Sequence, residues 1–157
     1  MPQLPLSAPL TVEPQWIDYN GHLNMAYYNV LFDRGVDQVW EELGFGPDYA
    51  QARGFTTYTA EFHVRYLREL HEGATVRAAF QILDHDAKRI HFYQELHHTD
   101  GWVAASAEGL MLHIDMSGPR VAPMPEDVLA KVAELAEQHS TLPMPATAGQ
   151  TIGIRRK

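Results

Sequence analysis

From Phe55 to Met116 the chain alternates between apolar and polar side chains in four runs, and the breaks between them are only a few residues long. A two-residue period is the pattern of an extended strand with one face buried. Breaks this short cannot hold the crossover that a parallel pair requires, so the runs predict an antiparallel meander. They are Phe55 to Leu70, Thr75 to Leu83, Ile90 to His98 and Trp102 to Met116. The breaks His71-Glu72-Gly73, Asp84-His85-Asp86 and Thr99-Asp100-Gly101 are built of turn residues. In the first run Tyr58, Phe62, Val64 and Tyr66 fall on one side, with Glu61, His63 and Arg65 on the other. Gly109, inside the longest run, is the expected place for a bulge.

A sheet of this kind needs something to cover its apolar face. Met25 to Leu43 supplies it: Tyr28, Leu31, Phe32, Val36, Val39, Trp40 and Leu43 recur at helical spacing over a wide arc. Gly44, Gly46 and Pro47 end the helix. Pro125 introduces a second helix, Glu126 to His139, with a stripe of Val128, Leu129, Val132 and Leu135. Ahead of everything, Pro2, Pro5, Pro9 and Pro14 mark an extended lead-in with a short strand at Leu10 to Glu13. The expected class is α+β: a long central helix wrapped by a curved antiparallel sheet, plus a C-terminal helix. We expect one domain over 1–139 and a Pro-rich, then basic, mobile tail over 140–157, ending Arg155-Arg156-Lys157.

Composition removes several kinds of function. With no cysteine among 157 residues, disulfide frameworks, thiolate metal sites and Cys nucleophiles are excluded. A net charge of −8 disfavours nucleic acid and anionic membranes as partners. Met1 to Thr11 lacks the basic start and apolar centre of a signal peptide. No apolar run approaches a bilayer span. A soluble, cytoplasmic protein is expected. Neither a Walker loop nor G-x-G-x-x-G is present, so nothing points to nucleotide hydrolysis or a dinucleotide fold.

The chemistry-bearing segment is Asp18-Tyr19-Asn20-Gly21-His22-Leu23-Asn24, directly ahead of the long helix. A carboxylate three residues before a glycine turn, followed by an N-cap and a helix start, puts a base or nucleophile beside unpartnered backbone N–H groups. That is the minimum equipment for acyl transfer. The same residues also describe a well-built turn, with Asp18 capping it and Asn24 capping the helix.

This motif, with Ala26-Tyr27-Tyr28 after it, resembles the hotdog acyl-CoA thioesterases related to 4-hydroxybenzoyl-CoA thioesterase. Tyr66-Leu67-Arg68-Glu69-Leu70 before a glycine turn, and Asp115 through Pro125, fit the same family. The likeness covers roughly residues 10 to 139. Val12 to His22, Leu83 to Arg89 and Ile152-Gly153-Ile154-Arg155 are similar to the betainyl-CoA thioesterases of bacterial carnitine degradation, which sometimes occur fused to a carnitine dehydrogenase. The resemblance implies a hotdog fold and hydrolysis of a small acyl-CoA, with betainyl-CoA as the narrower expectation. It implies no metal or redox cofactor, CoA being part of the substrate. It further implies a homodimer or tetramer with sites formed between subunits, and pairing would protect an exposed sheet edge.

The family's catalytic carboxylate falls on Asp18, as nucleophile or as general base for water. An N–H near Met25 or Ala26 would steady the oxyanion. Gly21 lets backbone approach without a Cβ. His22 either orients Asp18 or packs in the turn, and Asn24 is a cap that can also hold a water or the thioester oxygen. Glu61, near His63, is either a second carboxylate or a solvated strand charge. For a quaternary ammonium, Trp16 and Tyr19 are the expected cage, with Tyr27 near the motif. Asp33 and Asp37 lie on the helix's polar side, facing solvent or a neighbouring subunit. Arg65 and Arg68, with Lys88, Arg89 and the tail, are candidate CoA phosphate contacts or plain surface charges. His91, Glu95 and His97 share a strand face without a metal-binding motif, so no metal site is expected. Two rival readings are a hotdog enoyl-CoA hydratase or dehydratase, and a non-catalytic acyl-CoA binding module.

Overall fold

A computed structural model describes residues 4–157, so Pro2 lies outside the described residues. In chain order the elements are β1 (Leu10–Thr11), a 3-10 turn (Pro14–Trp16), α1 (Met25–Leu43), α2 (Pro47–Arg53), β2 (Phe55–Tyr66), β3 (Thr75–His85), β4 (Arg89–His98), β5 (Val103–Asp115), β6 (Arg120–Val121) and α3 (Glu126–Ser140). All strand pairs are antiparallel, in the order β1-β3-β4-β5-β2, with β6 on the end of β5. This is the hotdog architecture: a long helix held in a curled antiparallel sheet.

The four runs do not form a simple meander. β3, β4 and β5 are joined by hairpins, but β2 pairs with β5 rather than with β3. Residues 67–74 are not a hairpin turn; they cross the end of the sheet. Leu67 and Arg68 both donate their N–H groups to Ala104 O, at 3.0 Å each, and Leu70 is fully buried in the core. Turn residues fix where a chain reverses; which strand lies beside which is settled by packing across the whole sheet.

Two local expectations change as well. No register shift falls at Gly109; the shifts lie at Leu83 on β3, at Ala104 on β5 and, on β2, at Ala60 between Thr59 and Glu61. The extra residue on β2 flips the phase, so Tyr58 shares the outer face with Glu61, His63 and Arg65 while Phe62 points into the core. Gly109 stays in register, and a Cβ there would overlap the Phe92 ring. The breaker run after Leu43 holds a short helix of its own, α2, with Pro47 in its first turn and Gly54 in the left-handed region at its end (φ 70°).

α1 spans the 19 residues expected and is capped by Asn24. It lies chiefly over β3 and β4. The close approach is made at Gly35, where a Cβ would overlap the Ala78 side chain. Tyr28, Leu31, Phe32 and Leu43 are buried on that face, each contributing roughly 1.5–3 kcal/mol. α3 packs beside β3 and closes the other end of the core with Val128 and Val132.

The tail is bonded to the body. Pro143 O accepts from Gln81 on β3, Thr147 meets Tyr93 on β4, Gly149 N–H donates to Glu108 on β5, and Gln150 Oε1 accepts from Arg65 on β2. It therefore crosses the sheet's outer face strand by strand.

Candidate functional site

The Asp18 turn is held from three sides. Ile17 bridges Leu23 in antiparallel fashion, and Asp18 N–H donates to His22 O at 3.1 Å. Gly21 N–H returns to Asp18 O at 3.0 Å, with Gly21 at φ 82°, a conformation a side chain would resist. Leu23 N–H then donates to Leu70 O at 2.8 Å, so the crossing segment 67–74 fixes the turn. This is why the sequence places the Tyr66–Leu70 stretch near the motif.

Asp18 accepts from Asn20 N–H at 2.8 Å through Oδ1, and from Asn24 Nδ2 at 3.5 Å through Oδ2. Asn24 Oδ1 accepts Ala26 N–H at 2.9 Å, and Asn24 O accepts Tyr27 N–H at 3.0 Å. Among the described residues nothing accepts the Met25 N–H. A partly exposed carboxylate is thus tied to the cap residue whose next neighbour, Met25, carries a first-turn donor that the cap leaves unused. The helix dipole favours negative charge at this point.

The other expected residues are dispersed. His22 turns away: Nδ1 meets Leu23 O at 3.2 Å and Nε2 faces Glu69 at 3.8 Å. Trp16 is buried, stacked with Tyr27 (5.8 Å between centroids) and lying under the Arg34 guanidinium at 5.2 Å. Tyr19 is 98 % exposed. Arg68 stacks on Trp102 at 4.2 Å, in the segment that carries the Leu70 contact to the turn. Arg65 is on the outer face, donating to Gln150.

Glu61 is also on the outer face, in a crevice with Asp84, His85, Asp86, Arg89 and His91. Tyr66, whose hydroxyl donates to Met25 O at 3.2 Å, marks the end of β2 near the motif. Glu61 is five residues further along, about 17 Å, so one subunit does not bring it to Asp18. His91 pairs with Glu108 and His97 with Glu95, at 2.7 and 2.8 Å. Among the described residues no group of three His, Asp or Glu side chains is placed to hold a metal ion.

One cavity went unforeseen. An open space of about 770 Å³ lies between the outward side of α1 and the concave face where the helix leaves β2 and β5 uncovered. Asp33, Asp37 and Trp40 on α1 line it, with Thr57 on β2 and Phe92 and Gln94 on β4. The only sequence signal for it is the pair of acids one turn apart on the polar side of α1, next to the edge of its apolar arc.

Over residues 12–132 the sequence matches the thioesterase-like superfamily. It is 40% identical over 144 residues to the betainyl-CoA thioesterase of Pseudomonas aeruginosa, covering 91% of both chains. It is 38% identical over 146 residues to the L-carnitine dehydrogenase/betainyl-CoA thioesterase of Rhizobium meliloti, covering 92% of this chain and 29% of that longer protein. Among solved structures, a hypothetical protein of Staphylococcus aureus in complex with CoA superposes with a TM-score of 0.88 at 29% identity, covering 97% of each chain. A putative thioesterase of Pseudomonas putida gives 0.84 at 32% identity, covering 99% of each.

Proposed function

The chain belongs to the thioesterase-like superfamily and is an acyl-CoA thioesterase; from that premise we propose that it hydrolyses betainyl-CoA to betaine and CoA, using Asp18 as its reacting carboxylate. The observation that carries this reading is the Asp18 carboxylate hydrogen-bonded to Asn24, the cap that directly precedes the unused Met25 N–H at the start of α1. Attack on a thioester moves negative charge onto the carbonyl oxygen, and a backbone N–H aimed at that oxygen lowers the barrier. Two routes fit. Asp18 takes a proton from the attacking water, or it attacks the carbonyl carbon and the mixed anhydride is then opened by water. In both, the C–S bond breaks, CoA leaves as the thiolate and takes up a proton, and one water is consumed. Arg68 is the basic side chain of the crossing segment and would meet CoA phosphate.

The substrate assignment rests on two relatives whose names carry it, one of them matched over nearly its whole length. The assembly is a homodimer. β2 is a 12-residue strand paired on one side only among the described residues. An unpaired edge of that length is met by a second copy more readily than left to solvent.

The test is thiol release from a panel of acyl-CoA esters that includes betainyl-CoA. Asp18→Asn keeps size and hydrogen bonding but removes the charge, and the expected loss in kcat is at least a hundredfold. Parental turnover by that variant overturns the role of Asp18. Inert betainyl-CoA alongside active straight-chain esters overturns the substrate. Label in Asp18 after a single turnover in ¹⁸O-water identifies the covalent route with water opening the anhydride at the Asp18 carbonyl, and an acyl-enzyme caught by rapid quench and mass spectrometry identifies it where water attacks the acyl carbonyl instead.

A further inference from the structure

The cavity between α1 and the β5–β2 side of the sheet carries charge of one sign. Asp33 and Asp37 are its only ionised lining groups, and no Lys, Arg or His lines it among the described residues. Arg34, the sole basic residue of α1, is spent elsewhere, 3.3 Å from Glu13 and over the Trp16 ring. Two carboxylates one helical turn apart repel each other. Burial and then the charges of Asp33 and Glu41 push the Asp37 carboxyl above its ordinary range, with Arg34 opposing.

Other parts of the wall match a cation as well. Phe32, Trp40, Phe62 and Phe92 supply aromatic surface, and Trp40 is fixed by its indole N–H donating to Thr57 Oγ1 at 3.0 Å. Gln94 also lines the cavity and is only 3 % exposed. Its Nε2 donates to Phe32 O at 3.1 Å, while no described residue donates to its carboxamide oxygen. A cavity walled by aromatic rings, two carboxylates and an amide oxygen that receives no donor is negative on every side and suits a cationic ligand, to which the amide oxygen can offer C–H···O contacts. A quaternary ammonium group is such a ligand.

Distance decides which copy of the chain performs the chemistry. In a betainyl ester the ammonium nitrogen lies about 2.5 Å from the carbonyl carbon, the same two-bond span as backbone N to C. From Met25 to Asp33 is about 12 Å along the helix, and Asp37 is about 6 Å further. A cation held at Asp33 and Asp37 therefore keeps its thioester out of reach of Asp18 in the same subunit. Resting on the thioesterase reading above, we propose that this cavity is the subsite for a quaternary ammonium acyl group, with Asp33 and Asp37 as its counter-charge; the sites between subunits that the family resemblance implies would then set its thioester against Asp18 of a second copy of the chain.

The probe is betainyl-CoA against 3,3-dimethylbutyryl-CoA, the neutral isostere with carbon in place of nitrogen. The native enzyme should prefer the cationic ester at least tenfold in kcat/KM. Asp33→Asn and Asp37→Asn should each cut that ratio to about threefold or less, through KM. A native ratio near one, or variants that slow both esters alike, overturns the subsite. Calorimetric binding of the two esters to Asp18→Asn protein, with and without Asp33→Asn, reads the same preference without turnover. Absence of thiol release from every ester would therefore sink the enzyme reading and leave the subsite judged on its own. The two-copy arrangement is read by mixing Asp18→Asn with Asp33→Asn subunits. Shared sites regenerate one intact centre per mixed dimer, and activity on betainyl-CoA rises above that of either variant alone. No rise on mixing, with exchange verified by mass spectrometry, overturns it.

Discussion

Asn24 serves two groups at once: its oxygen caps α1 through Ala26 N–H and its nitrogen reaches Asp18. The roles separate by mutation. Asn24→Ala should cost about 1 kcal/mol of stability in urea melts, together with activity. Asn24→Asp keeps the capping oxygen but faces Asp18 with a like charge, so the melt should be near parental while kcat at neutral pH falls about tenfold or more. Two buried histidines give a pH prediction. Ile82 N–H donates to His139 Nδ1 at 2.9 Å, and Tyr49 OH meets His113 Nε2 at 2.7 Å while Nδ1 meets Ala122 O. His139 needs the neutral ring, because its Nδ1 must accept. Burial pushes both below their ordinary value of 6.5, so above that pH neither state carries the proton and the native contacts are intact. As pH falls below about 6.5 the unfolded chain binds protons that the folded one refuses, and stability drops. The urea midpoint should fall between pH 7.5 and 5, and His139→Gln, whose oxygen can accept the Ile82 N–H, should shrink that fall.

Between elements, the contact that sets the shape is α1 on β3 at Gly35. Alanine is the better helix former by about 1 kcal/mol, yet its methyl would overlap Ala78. Gly35→Ala should therefore lower stability by about 1–3 kcal/mol, measured by thermal or urea unfolding; a stabilised variant would show that the helix lifts freely. α2 is tied to α3 by a fork, Arg53 Nη1 and Nη2 on Asp127 Oδ2 and Oδ1 at 2.8 and 3.1 Å. The bulge opposite Met111 turns Thr57 and Thr59 toward the cavity while sending Tyr58 outward. Without it, the cavity's β2 wall would be built of different side chains.

The whole molecule presents an open edge and a strapped face. Ala60→Pro, at the bulge of the open strand, should leave the fold intact and yield a monomer by light scattering. Because the acyl subsite and Asp18 belong to different copies in our proposal, thiol release should fall with the dimer. The strap is the 143–150 segment, which covers Gln81, Tyr93 and Ser106 on the outer face. Ending the chain at Leu142 should lower the melting temperature by several degrees, at about 3 °C per kcal/mol for a chain of this size. Among the described residues no helix is long and apolar enough to cross a membrane.

Period and punctuation gave the elements away. Seven apolar residues at helical spacing and an N-cap set α1 to the residue, and alternation set β4 and β5 to within a residue at either end, because each signal is local and repeats many times. The Asp18–Asn24 turn was legible for the same reason, since cap, glycine turn and carboxylate are neighbours in the chain. What local pattern cannot hold is adjacency. That β2 lies against β5, that Ala60 inverts the faces of β2, that the tail runs across the outer surface, and that Asp33 and Asp37 meet Gln94 around one space all depend on contacts between segments far apart in sequence. Those pairings are chosen only when the entire core packs at once.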